Sequence, residues 1–242
     1  MFKPYWNEPV GMTRYVLPDE CCDFNKSNVS LVVDSILNRP QTPREAFDII
    51  YNFVKENIWF DFYGSIFPRA SNVLSLGKGS SIGKSILLVA MARYVKIPAR
   101  FWAFFINRDV FVELVPQTHI KVLHDKYLHV QPQVWMDSKW MTVESVVYDR
   151  KYLDGLLKLY GQSHKAKGLG MNVDATLGSF SKAVQNWDGK GEIECVMSNP
   201  KMEIGERIDP TDIVKSTHKK GYLTTMLNKS VSQRIERIRY GF

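Results

Sequence analysis

Ser81 stands at a junction where chemistry is possible. Ahead of it lies the polar stretch Lys78-Gly79-Ser80, and behind it a run from Ile82 to Tyr94 that is apolar nearly all round. Length and composition make that run a buried helix rather than a strand, and Pro98 stops it. A side chain on the first turn of such a helix sits where unsatisfied N–H groups and the positive end of the helix dipole converge. That setting stabilises an anionic nucleophile and lowers a thiol's pKa. The junction therefore predicts a nucleophile near residue 81, with a general base from a following strand. The bland role for a lone serine there is a helix cap.

Two other chemistries fail on spacing. Gly83-Lys84-Ser85 resembles the end of a phosphate-binding loop, but that loop needs a glycine five positions before Gly83. The position holds Lys78, with Gly77 and Gly79 one residue off on either side. Such a loop works by aiming successive backbone N–H groups at phosphates, so a one-residue error breaks it. The dinucleotide pattern fails too, because Gly79 to Gly83 holds one residue too many. His119, His124 and His129 recur every five residues, which is neither a helical nor a strand face, so no metal site is expected. No cofactor is expected either.

The elements that must position residue 81 are legible around it. Residues 28–37 read as a short helix closed by Asn38 and Pro40. Thr42-Pro43 opens the next helix, capped by Thr42 and running to about Asn57 with Ala46, Phe47, Ile50, Phe53 and Val54 at helical spacing. Residues 58–63 read as a short extended or turn segment. After Pro98 come β-rich runs at 101–106, 110–115, 128–136 and 140–147. Strands that follow a buried helix without alternating helices argue for an α+β fold. Residues 161–172 form a Gly-rich polar loop, and residues 229–240 read as a terminal amphipathic helix. The expected organisation is a single domain over 1–242, with a core at about 43–148 and a C-terminal extension, 149–242, that walls the cleft or supplies a lid.

Composition bounds the function classes. The chain has 242 residues, 45% hydrophobic and 24% charged, ordinary for a soluble globular protein with a real core. No apolar run reaches the ~18 residues of a membrane span, and the N-terminus lacks the pattern of a signal peptide. Cys21, Cys22 and Cys195 are too few and too ill-spaced for a disulfide framework, so a reducing cytoplasm is the expected location. The formal net charge is +7. It reads first as a solvated basic surface and second as a field that speeds encounter with an acidic partner. His218 to Lys220 and Arg234, Arg237 and Arg239 read as exposed helix faces. No nucleic-acid module is present.

Residues from Pro43 to Tyr148 resemble the transglutaminase-like superfamily, whose papain-type fold carries its nucleophile at a helix start. Arg69-Ala70-Ser71, Lys78-Gly79-Ser80-Ser81, Arg93 and Ile97-Pro98-Ala99-Arg100 are similar to that family's Gly-x-Cys, helix, Arg, Gly-Ile-Pro-Ala-Arg stretch. Ser81 falls on the family's cysteine, and Lys96 replaces the usual glycine. A second block matches at His129 and Trp140. It departs at Gln133, where the family has an acidic residue, and holds Glu144 in place of Asp.

The hairpin between these residues has a geometry of its own. If Asp137-Ser138 is a two-residue turn, Met136 pairs with Lys139, His129 faces Val146 and Gln131 faces Glu144. His129 and Glu144 then share a face as diagonal neighbours, about 5–8 Å apart between Cβ atoms. A three-residue loop would put them on opposite faces.

Roles follow from the resemblance together with this chemistry. Residue 81 attacks an acyl carbon, His129 takes and returns the proton, and Glu144 orients the imidazole. The N–H of residue 81 is an oxyanion donor. Ser80, Gln131 and Trp140 are further candidates for oxyanion or substrate contacts. Three readings of the serine stay open: an engineered, inactive Cys-to-Ser form that traps an acyl substrate, a serine that is itself the nucleophile, and a non-catalytic binding relative. The resemblance implies an acyltransferase or cyclase acting through an acyl-enzyme. Its acyl donor could be the thioester of an acidic carrier protein in natural-product biosynthesis. A cysteine-type peptidase or amidase is the alternative.

Overall fold

The computed structural model describes residues 4, 6–26, 28–38, 42–62, 67–121, 123, 125–143, 145–171, 173–187 and 221–241. Glu144, His124, Cys195 and the basic stretch His218 to Lys220 lie outside them.

Helix α1 spans Asn28–Ile36 and buries Val29 and Val33. Helix α2 spans Pro43–Asn57, with Thr42 Oγ1 accepting from the Glu45 N–H as its cap. Its apolar stripe (Ala46, Phe47, Ile50, Val54) is buried. Strand β1, Trp59–Phe60, follows, then α3, Ala70–Leu76, which Gly77 ends in the left-handed conformation. Strand β2, Lys78–Gly79, pairs in parallel with β1 and leads directly into α4, Ser81–Tyr94. Every residue from Ile82 to Arg93 is buried, as expected of a helix that is apolar all round.

Helix α4 packs on an antiparallel sheet of order β3-β4-β5, with β3 at Ala99–Asn107, β4 at Lys126–Met136 and β5 at Lys139–Thr142. The α+β class expected from the sequence is the observed one. Met136 pairs with Lys139, so the hairpin loop is the two residues Asp137-Ser138, both at positive φ (50° and 61°). That is the primed turn whose twist suits a two-residue hairpin. The Val143 N–H to Pro132 carbonyl bond, at 2.9 Å, carries the same register one residue beyond the Gln133–Thr142 pair.

Further helices among the described residues are α5 (Gln117–Ile120), α6 (Arg150–Tyr160), α7 (Leu177–Gln185) and α8 (Gly221–Tyr240). Buried apolar side chains form two clusters. One surrounds α4 between α1, α2 and the inner face of the sheet; the other joins α6, α7, α8, residues 110–123 and Phe60. Val147 packs against both.

Three expectations are corrected. Residues 110–115 are a 3₁₀ turn and loop, not a strand. Their buried members are Val110, Phe111, Leu114 and Val115, a helical spacing rather than an alternating one. Asn107 also ends β3 by accepting from the Asp109 N–H. Second, the strand expected at 140–147 stops at Thr142, and Ser145 lies at φ 64°. Third, Arg239 is buried rather than part of an exposed face.

Candidate active site

The first turn of α4 is built by Ser80 and Ser81 in different ways. Ser80 is the N-cap: its Oγ accepts from the Gly83 N–H at 3.2 Å and its carbonyl from the Lys84 N–H at 2.8 Å. Those bonds satisfy the Gly83 and Lys84 donors and occupy the side chain that the sequence offered as a substrate contact. Ser81 is the first helical residue. Helix geometry leaves its N–H and that of Ile82 with no carbonyl acceptor inside the helix, so donors and dipole both point outward there.

Strand β4 crosses this turn. Val130 accepts from the Ser85 hydroxyl at 3.4 Å, one turn into α4. One residue earlier, His129 Nδ1 lies 3.3 Å from Ser81 Oγ. With Nδ1 facing the hydroxyl, a ring that accepts the hydroxyl proton must carry its own proton on Nε2, the nitrogen a third group would orient. Glu144, which the sequence offers for that task, is outside the described residues. His129 is half-buried. Desolvation lowers its pKa to about 4, because burial penalises the charged imidazolium. The imidazole is therefore neutral at pH 7.

The other candidates separate from this pair. Gln131 is two residues along β4 from His129, on the same side of the strand, opposite Trp102. Trp140 pairs with Trp135, six residues from His129 and so about 20 Å along the strand. It stands at the turn end of the hairpin, with the Arg100 guanidinium 3.9 Å from its ring centre and Tyr15 and Trp135 edge-on. It is not brought together with Ser81. Gln133 joins this outer cluster, accepting from Arg100 Nε at 2.8 Å and donating to Thr142 Oγ1.

Lys84 settles the phosphate question. Its side chain is fully buried, with Nζ donating to the carbonyls of Lys55 (3.0 Å) and Ile58 (2.6 Å) at the end of α2. It points away from any ligand at the start of α4. Desolvation lowers its pKa to about 7, opposed by the charges of Asp149 and Glu56. Cys21 and Cys22 are buried, the Cys22 thiol against the Ile86 carbonyl, and burial pushes that thiol well above its usual range. Such a thiol is inert.

A sequence model described as the transglutaminase-like superfamily matches residues 31–145. Residues 31–145 are a transglutaminase-like domain. No curated protein matches the chain. Among solved structures, a provisionally named cysteine protease from Cytophaga hutchinsonii is similar at 12% identity and a TM-score of 0.43. The likeness covers 55% of this chain and 41% of that one, so the chain spans about two fifths of that protein's length.

The superfamily's motif residues now have physical roles. Lys96, at its usual glycine, lies at φ 64°, the left-handed conformation that favours glycine. It closes α4 with bonds from the Lys96 N–H to the Arg93 carbonyl and the Ile97 N–H to the Ala92 carbonyl, each 3.0 Å. Arg93 ties α4 to the N-terminal segment through Asp19 Oδ2 at 2.7 Å and the Leu17 carbonyl at 3.1 Å. Among the described residues, no helix is long and apolar enough to cross a membrane.

Proposed function

We propose that the chain is an acyl-transfer enzyme of the transglutaminase-like type, with Ser81 as nucleophile. The observation that carries this reading is the 3.3 Å approach of Ser81 Oγ to His129 Nδ1 at the first turn of a buried helix. Oγ attacks the acyl carbon as its proton passes to Nδ1. The tetrahedral oxyanion is held by the Ser81 N–H. Collapse expels a thiol or amine, which takes the proton from His129, and leaves an ester on Ser81. An acceptor then repeats the cycle in reverse.

A neutral imidazole supports the serine reading. Hydroxyl and imidazole both begin uncharged, so the ring is free to accept the hydroxyl proton as general base. Glu144 remains the residue proposed to orient Nε2. The proposed domain core is about 43–148, with 149–242 as a C-terminal extension. An acidic acyl carrier protein is the proposed donor, a partner suited to the net charge of +7.

The test is intact-mass analysis after incubation with a small acyl thioester. An acyl adduct on Ser81, absent from Ser81→Ala, is expected. If neither the parent nor Ser81→Cys forms an adduct with thioester, amide or glutamine donors, the reading falls. Release of acid from peptides without transfer to an amine would instead select the amidase reading.

A further inference from the structure

Among the described residues, strand β1 is held on one edge by a strand and on the other by side chains. The N–H groups of Trp59 and Asp61 donate to the carbonyls of Gly77 and Gly79, at 2.9 and 3.0 Å. In a strand, alternate residues direct their backbone groups to opposite edges, so Phe60 points its pair the other way. There the Phe60 N–H donates to Asp149 Oδ2 at 2.8 Å, and Arg239 Nη2 donates to the Phe60 carbonyl at 2.7 Å. Arg239 Nη2 also bonds Asp149 Oδ2 at 2.9 Å. The side chains of this ion pair are 1% and 2% exposed. A carboxylate and a guanidinium thus stand in for the carbonyl and N–H of a neighbouring strand.

We propose that the Asp149–Arg239 pair is a positioning device for Ser81, through which the C-terminal helix α8 fixes the β1–β2 strap that ends at the nucleophile. This rests on the proposed function. Phe60 is paired with Gly79, two residues before Ser81. Lys84 grips the same strap from inside through the Ile58 carbonyl, and Lys78 Nζ bonds Asp61 Oδ2 at 2.9 Å across it. The unsatisfied N–H groups of the α4 start are aimed by this strap. Asp149 and Arg239 both lie outside the superfamily match at 31–145, so the matched segment alone lacks the outer edge of β1.

The experiment uses the full chain and three variants: Arg239→Lys, Arg239→Met and the double change Asp149→Leu with Arg239→Met. Removing one partner of a buried pair leaves an uncompensated charge and threatens folding, whereas replacing both by apolar residues is far better tolerated. Two quantities are read: the rate at which an aryl fluorophosphonate labels Ser81, and amide hydrogen exchange at residues 59–61. In the parent, the Phe60 amide should exchange as slowly as its ladder neighbours. The double variant should fold, label at least tenfold more slowly and exchange faster at Trp59 and Asp61. Arg239→Lys, which keeps the charge and one donor, should recover part of the rate. A folded double variant with parental labelling and exchange overturns the proposal, as does a rapidly exchanging Phe60 amide in the parent. A parent that does not label at Ser81 overturns the acyl-enzyme reading, and with it the purpose of the clamp, while the exchange data still decide whether the clamp exists.

Discussion

Ser81 Oγ and His129 Nδ1 meet at 3.3 Å across 48 residues of chain, carried there by the start of α4 and by β4. Ser80 caps α4 and so fixes where Ser81 points, while the Val130 carbonyl bonds Ser85 and so fixes where β4 crosses the helix. The imidazole is held neutral, and this has a consequence for rate against pH.

An ordinary histidine would give a general-base limb near pH 6.5. His129 titrates at about 4 because burial disfavours its charged form. The acylation rate should stay flat from pH 8 down to about 5 and fall to half near pH 4. The sign for stability follows. Between about 4 and 6.5 the unfolded chain binds the proton and the folded chain does not, so the contribution of His129 falls as pH drops through that window. A rate profile with its midpoint near 6.5 would show that the ring is solvated. His129→Gln should lower the rate by roughly 10²–10⁴ at neutral pH.

Much of this site was legible in the sequence because its causes are local. An all-apolar run after a Gly-Ser-Ser stretch marks a buried, capped helix, and Asp137-Ser138 offers a two-residue turn, the loop length that the Met136–Lys139 pairing selects. What was not legible depends on distant partners. Lys84 looked like part of a phosphate loop because its acceptors, the Lys55 and Ile58 carbonyls, belong to another helix end. Arg239 looked like a solvated face because Asp149, 90 residues away, is what allows it to be buried. Residues 110–115 read as a strand because β-branched and aromatic residues are common to strands. Only the positions that turned out buried reveal a helical period.

Lys84 makes a second pH prediction, of the same sign but in a higher window. Its folded pKa is about 7, lowered chiefly by desolvation, against about 10.4 unfolded. Between these values the unfolded chain holds the proton more often, so stability rises with pH from about 7 to 10. Relative to Lys84→Met, the parent should gain on the order of a few kcal/mol across that window. Urea denaturation of both proteins at pH 7 and pH 9.5 measures the difference. A constant difference would mean that Lys84 stays charged in the folded protein.

Lys96 carries a side chain where the backbone favours none. A non-glycine residue in the left-handed conformation costs roughly 1–2 kcal/mol, while a glycine costs about 0.5–1 kcal/mol in backbone freedom. The Lys96–Glu8 ion pair is long at 3.8 Å and partly exposed, so losing it matters little. Lys96→Gly should therefore stabilise by up to about 1 kcal/mol and raise Tm by roughly 2–4 °C. A lower Tm would show that the contacts of the lysine outweigh its backbone cost.

Gly155 tests the seat of α8 on α6. A Cβ built there would lie 2.2 Å from the Ile238 carbonyl oxygen and 3.2 Å from the Arg239 Cα. The obstacle is backbone, so a rotamer change cannot relieve it and the helices must part. Alanine would otherwise favour the helix by roughly 1 kcal/mol, whereas overpacking of this kind costs about 1–3 kcal/mol. The clash should win, because relief requires moving α8 at the residue that supplies Arg239. Gly155→Ala should thus lose stability in chemical denaturation and also loosen the Phe60 carbonyl bond, speeding amide exchange at Trp59 and Asp61. A stabilised variant with parental exchange would place α8 further from α6 than the Gly155 contact requires.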